Sequence, residues 1–159
     1  MDKLTQLKDF ILQKYSFFNN GYANVIKPDN TQIVVDENMN EYVGIADNLG
    51  NYFYIRSLKK SNYDKLDNNR YSKITQCRIV VVGNNLDDDI LEQSIINSLV
   101  VNRCIIQSSN VDKTSVFREE TGTQNMTNAL KEMNIISIDF EVLELVNPRN
   151  CGDLNPCKC

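Results

Sequence analysis

The sequence predicts an α+β fold: an N-terminal helix, an antiparallel meander, then strand–helix–strand–strand–helix–strand, forming a mixed or antiparallel sheet packed by two or three helices. Three observations predict it. Residues 2–18 place apolar side chains at spacings of three and four. Residues 22–58 switch to a period of two, broken by turn residues. Residues 135–145, Ile-Ile-Ser-Ile-Asp-Phe-Glu-Val-Leu-Glu-Leu, alternate between apolar and charged.

In the first segment Leu4, Leu7, Ile11, Tyr15 and Phe18 form one stripe, and Asn19-Asn20-Gly21 is a helix stop because these residues tolerate the left-handed conformation. The following runs are Tyr22–Ile26, Gln32–Val35, Glu41–Ala46 and Tyr52–Leu58, separated by short stretches rich in Asn, Asp, Gly and Pro. Connections so short make antiparallel neighbours. In the last run Phe53 and Ile55 face one way, and Tyr52, Tyr54 and Arg56 the other. Residues 59–70 are mostly polar and are expected to be a long exposed loop.

Tyr71–Val82 is the next strand. Its Ile79-Val80-Val81-Val82 run is apolar on both faces, as a central strand covered on both sides would be. Gly83-Asn84-Asn85 turns the chain, and Asp87-Asp88-Asp89 opens a helix to about Val100 with Leu91, Ile95 and Leu99 on its core stripe. Arg103–Ser108 and Ser115–Glu119 are expected as a pair of strands. Met126, Ala129, Leu130 and Met133 mark a short helix before the closing strand. The organisation is one domain over residues 1–146 and a tail over 147–159 without periodicity.

The 159 residues, 42% hydrophobic and 24% charged, suffice for one buried core. No apolar run reaches the roughly 18 residues of a membrane span, and Met1-Asp2-Lys3 leads into an amphipathic pattern instead of a signal peptide. A net charge of −4 disfavours binding driven by DNA phosphate. The five cysteines, an odd number, are expected to be reduced thiols.

No constellation carries catalysis. There is no histidine, and Val80-Val81-Val82-Gly83-Asn84-Asn85 lacks every phosphate-loop glycine pattern while three aspartates follow it. Those aspartates and Glu92 point in different directions around a helix start, which is capping charge and not a magnesium or calcium site. Cys151, Cys157 and Cys159 lack the paired spacing and fourth ligand of structural zinc; an inert tail is expected, with metal binding and a disulfide within the tail or between subunits as the alternatives. Asp139 and Glu141 share a strand face that should meet solvent or another subunit. No cofactor and no metal are expected. Arg56, Lys59, Lys60, Lys65, Arg70 and Lys73 are interleaved with Tyr52, Tyr54, Tyr63 and Tyr71. Such a mixture suits single-stranded nucleic acid or a protein contact; Asp64 and Asp67 dilute the charge and favour protein, or simple solvent exposure. The expected contact residues are Tyr52, Tyr54, Arg56, Lys59, Lys60 and Tyr63.

The layout resembles the small tail-terminator and head–tail connector proteins of tailed bacteriophages. Cys77–Val82 leading to the helix at Leu91–Leu99 is similar to their strand and helix, and Ile136–Val142 to their closing strand. The asparagine content, about one residue in seven, and Asn147-Pro148-Arg149-Asn150-Cys151 are similar to proteins of crAss-like phages. The resemblance implies a virion protein made in the host cytoplasm. It would be a subunit of a homo-oligomeric neck ring joining portal and head to tail, with other neck proteins as partners, DNA passing through the lumen without specific binding, no membrane and no catalysis. The alternatives are a small intracellular α/β enzyme or nucleotide-binding domain, and a monomeric protein-binding module of the inhibitor or immunity type.

Overall fold

A computed structural model describes residues 3–18, 23–26, 32–35, 41–42, 45, 50–67, 69–84 and 86–146. It is an α+β fold with a four-stranded antiparallel sheet between two pairs of helices. Helix α1 (Lys3–Lys14) is followed by β1 (Ala23–Ile26), β2 (Gln32–Val35), β3 (Glu41–Tyr42), β4 (Tyr52–Asp67) and β5 (Arg70–Asn84). Then come α2 (Asp88–Val101), β6 (Ile105–Asn110), α3 (Lys113–Thr121), α4 (Asn128–Lys131) and β7 (Met133–Val146). Strands β1, β2 and β3 make a small antiparallel sheet of their own. The larger sheet has the order β4-β5-β7-β6.

Strand β5 organises everything else. Ile79, Val80, Val81 and Val82 are all fully buried, because successive side chains point to opposite faces and both faces are covered. Ile79 and Val81 join Phe53, Ile55, Ile136, Ile138 and Phe140 in a core closed by Leu7 and Ile11 of α1 and Leu91, Ile95 and Leu99 of α2. Val80 and Val82 join Tyr52, Tyr54 and Ile135 in a second core under Val116 and Phe117 of α3 and Leu130 of α4. Burial of each large aliphatic side chain contributes about 1.5–3 kcal/mol, so two cores back to back on one strand make β5 the costliest place to disturb.

The helices follow from local chemistry. Asp87 caps α2 by accepting the Ile90 N–H at 3.1 Å, and Asp88 and Asp89 sit in its first turn, where a carboxylate is favoured by the dipole. The end of α1 is held to α2 through Tyr15, whose hydroxyl donates to the Ser94 carbonyl at 2.9 Å and lies 3.0 Å from Ser98 Oγ. Tyr15, Phe17 and Phe18 leave the helix in a turn and stack edgewise, Phe18 reaching Phe53 at 5.1 Å between ring centres.

Three expectations are corrected. Residues 59–70 are not a loop: β4 runs on to Asp67 and β5 starts at Arg70, the two pairing as a hairpin. Backbone pairing sustains these strands although they contribute nothing to either core. Ser115–Glu119 is not a strand but the body of α3, with Asp112 at its N-cap and Gly122 at its C-cap in the left-handed region at φ 75°. Adjacent Val116 and Phe117 are both buried, which a helix lying on a sheet allows and an alternating strand does not. Finally, β4 pairs with β5 and leaves the meander to β1–β3. The tail from residue 147, with its three cysteines, lies outside the described residues.

The remaining cysteines are free and buried. Burial pushes the Cys77 thiol up to about 12 and also raises that of Cys104, so neither offers the thiolate that reacts. In a variant carrying C151S, C157S and C159S, both remaining thiols should be silent to a thiol reagent until denaturant unfolds the chain; rapid native reaction would contradict the packing. Ile95→Ala should cost about 2–5 kcal/mol in urea unfolding, whereas Leu145→Ala, at a side chain 70% exposed, should stay within about 0.5 kcal/mol.

Candidate functional site

Among the described residues, two places bring functional side chains together. The first lies on the sheet face that also carries the second core. Arg56 on β4, Arg78 on β5 and Asp139 on β7 stand side by side, because Arg56 is paired with Arg78 and Arg78 with Asp139 in the strand register. Glu120 of α3 reaches down between them. Its carboxylate is 2% exposed. It accepts from Tyr54 Oη at 2.7 Å, from Arg56 Nε at 2.9 Å and Nη2 at 2.7 Å, and from Arg78 Nη1 at 3.1 Å. Arg78 also holds Asp139 with two parallel bonds, Nε–Oδ1 at 2.6 Å and Nη2–Oδ2 at 3.1 Å, and touches Glu119 at 3.2 Å. Fork-on-fork pairing of this kind is the strongest geometry available to a guanidinium and a carboxylate.

The electrostatics make this a structural lattice. Burial alone would raise the Glu120 pKa, but the bonds from Arg56, Tyr54 and Arg78 outweigh it and hold the carboxyl below its ordinary 4.5. Burial, and then the Glu120 charge, push the Tyr54 hydroxyl well above 10.0. The bond to Asp139 holds Arg78 in its charged form. Tyr54, Arg56, Arg78 and Glu120 are each driven away from neutral titration, the opposite of what general acid–base chemistry needs. Among the described residues, no group of three or more His, Cys, Asp or Glu is arranged to hold a metal ion.

The second place is the distal half of the β4–β5 hairpin, an arm beyond both cores. Between Ser57, which faces Cys77, and Ser61, which faces Thr75, β4 carries two more residues than β5. Such a bulge bends and twists the hairpin. Past it Tyr63 is 59% exposed and Leu66 50%. Tyr63 stacks on Tyr71 at 5.9 Å and lies under Lys73 Nζ at 6.0 Å. The end of β7 runs beside the arm, with Tyr71 facing Val146. Strand β6 stops pairing at Glu141, so among the described residues Val142–Val146 has no strand on its other side.

Of the six expected contact residues, the structure divides the set. Lys60 and Tyr63 are exposed on the arm, and Lys59 lies in the same strand. Tyr52 and Tyr54 are corrected: they are 0% and 2% exposed in the second core, because α3, taken for a strand, covers their face. Arg56 is partly buried in the lattice with Glu120. Asp139 likewise serves Arg78 and not open solvent. Sequence reasoning missed Arg78, Glu119 and Glu120. The available signal was the helix start and stop at Asp112 and Gly122, which would have placed Glu120 over the sheet.

A scan against protein-family models matches none, and a search of curated proteins finds no significant match.

Because the lowered Glu120 pKa favours the folded state above the unfolded carboxyl value of about 4.3, its stabilisation is present at neutral pH and lost as pH falls through the depressed folded value. Glu120→Gln should therefore cost about 3 kcal/mol at pH 7. The gap to the unsubstituted chain should shrink at pH 3. Equal gaps in urea unfolding at both pH values would refute the assignment.

Proposed function

We propose that the chain is a structural protein of a tailed-phage virion, one subunit of a ring of identical copies in the neck, joining portal and head to tail and letting DNA pass. It does so without catalysis. The observation that carries this reading is the arm: a hairpin that adds nothing to its own cores yet exposes tyrosine, leucine and lysine side chains. Aromatic residues are enriched at interfaces, and an extended element that leaves its own domain is a means of gripping a neighbour. The outer edge of β4 and the end of β7 add backbone donors and acceptors that can pair with another chain. The resemblance of Cys77–Val82, Leu91–Leu99 and Ile136–Val142 to the strand, helix and closing strand of tail-terminator and connector proteins supports the same reading, although the loop at 59–70 and the strand at 115–119 of that layout are replaced here by a hairpin and a helix. So does the net charge of −4, since an acidic lumen would not grip phosphate.

The test is electron microscopy and mass measurement of the full chain at high concentration, together with inspection of the genes beside its own. Closed rings with a central channel, and portal and capsid genes nearby, are the expected outcome. A chain that binds and turns over a small molecule as a monomer, encoded away from virion genes, would overturn the proposal.

A further inference from the structure

We infer that the arm of one copy seats in an apolar groove at the far end of the next copy, a head-to-tail contact between identical chains. This inference rests on the ring reading and names the surfaces that would close it. The groove, a shallow one of about 90 Å³, lies where the turn after α1 meets the start of α2 and is lined by Tyr15, Phe17, Leu86, Ile90 and Leu91, with Asp87 and Ser94. Ile90 is 68% exposed and Phe17 39%, so two large apolar side chains at its rim are bare among the described residues, while Leu91 floors it from the first core. A soluble chain seldom leaves such a cluster bare without a partner.

The two surfaces match in chemistry. The arm face that carries Tyr63 also carries Lys65 and Lys73, against Glu144 alone, as the register shows; Asp64 falls on the opposite face with Ser72. At the turn, Asp67 is already held by Arg70 at 2.9 Å. Beside the groove stand Asp87, Asp88 and Asp89. Three carboxylates outweigh the roughly +0.5 charge of the helix start, and Lys14, which lies over the Tyr15 ring, is the cation on the α1 side. An aromatic flanked by lysines thus faces an apolar groove flanked by aspartates.

The contact cannot form within one chain. The arm tip precedes Arg70 and the groove begins just after Asn84, at opposite ends of β5. Fifteen residues of strand hold them roughly 45 Å apart. Two different patches at opposite ends of one molecule make a heterologous contact, which propagates into a ring where the rotation closes.

Charge exchange tests it. Lys65→Glu on the arm and Asp89→Lys at the groove reverse exposed charges with no hydrogen-bond partner among those described, and circular dichroism checks that each variant folds. Tyr63→Ala removes the aromatic. Analytical ultracentrifugation of the full chain should show association for the unsubstituted protein and at least tenfold weaker association for each single variant. Mixing K65E with D89K should restore it, because each arm then meets a complementary groove. Association unchanged by all three substitutions would overturn the arm–groove contact and leave the ring standing. An unsubstituted chain that stays monomeric at every concentration would overturn both.

Discussion

One strand, buried on both sides, sets the terms for the whole molecule. Four consecutive branched aliphatic residues at Ile79–Val82 are inaccessible to water. This requires a helical layer on each face, so α1 with α2 and α3 with α4 are consequences of that run as much as independent elements. The antiparallel partners on either side of β5 supply the alternation that keeps the layers apart. Phe53 and Ile55 on β4, and Ile136, Ile138 and Phe140 on β7, feed the first core, while Tyr52, Tyr54 and Ile135 feed the second. A slip of one residue in either ladder would send each set to the wrong side.

The second layer is thinner than the first. Helices α3 and α4 have 9 and 4 residues and cannot cover the whole sheet face. Where their apolar cover ends, charge takes over: Glu120 bridges Arg56 and Arg78, and Arg78 extends the bridge to Asp139. A buried ion pair stabilises little relative to well-packed apolar groups but strongly penalises arrangements that leave one partner alone. The lattice therefore acts mainly on alignment, holding α3 at one position along β4, β5 and β7.

What the sequence revealed follows the same physics. The stripes Leu4–Phe18 and Leu91–Leu99, the two-faced run of β5 and the alternation of β7 were legible because burial imposes a period on the chain. The arm was not, because strands outside a core need no apolar rhythm; Lys60, Asn62 and Asp64 are tolerated when backbone pairing alone sustains the ladder. The helix at Lys113–Thr121 was hidden by its brevity, since Ser115, Val116 and Phe117 fit a strand as well as one helical turn. The lattice was invisible for a different reason. Glu120 and Arg78 lie 42 residues apart, and no local pattern announces a charge pair assembled by tertiary folding.

The two ladders flanking β5 differ in continuity, and this gives the hairpin a mechanical polarity. Along β7 every residue from Tyr71 to Asn84 keeps its partner without a break, while along β4 the pairing is interrupted after Ser57 and again after Lys65. Tension applied at the tip would load the unbroken side in shear, where many hydrogen bonds resist together, and would peel the interrupted side a few bonds at a time. Strand β4 is thus the compliant half of the hairpin and β5 with β7 its stiff spine, so a pull on the tip would deform the outer strand before it reached the cores.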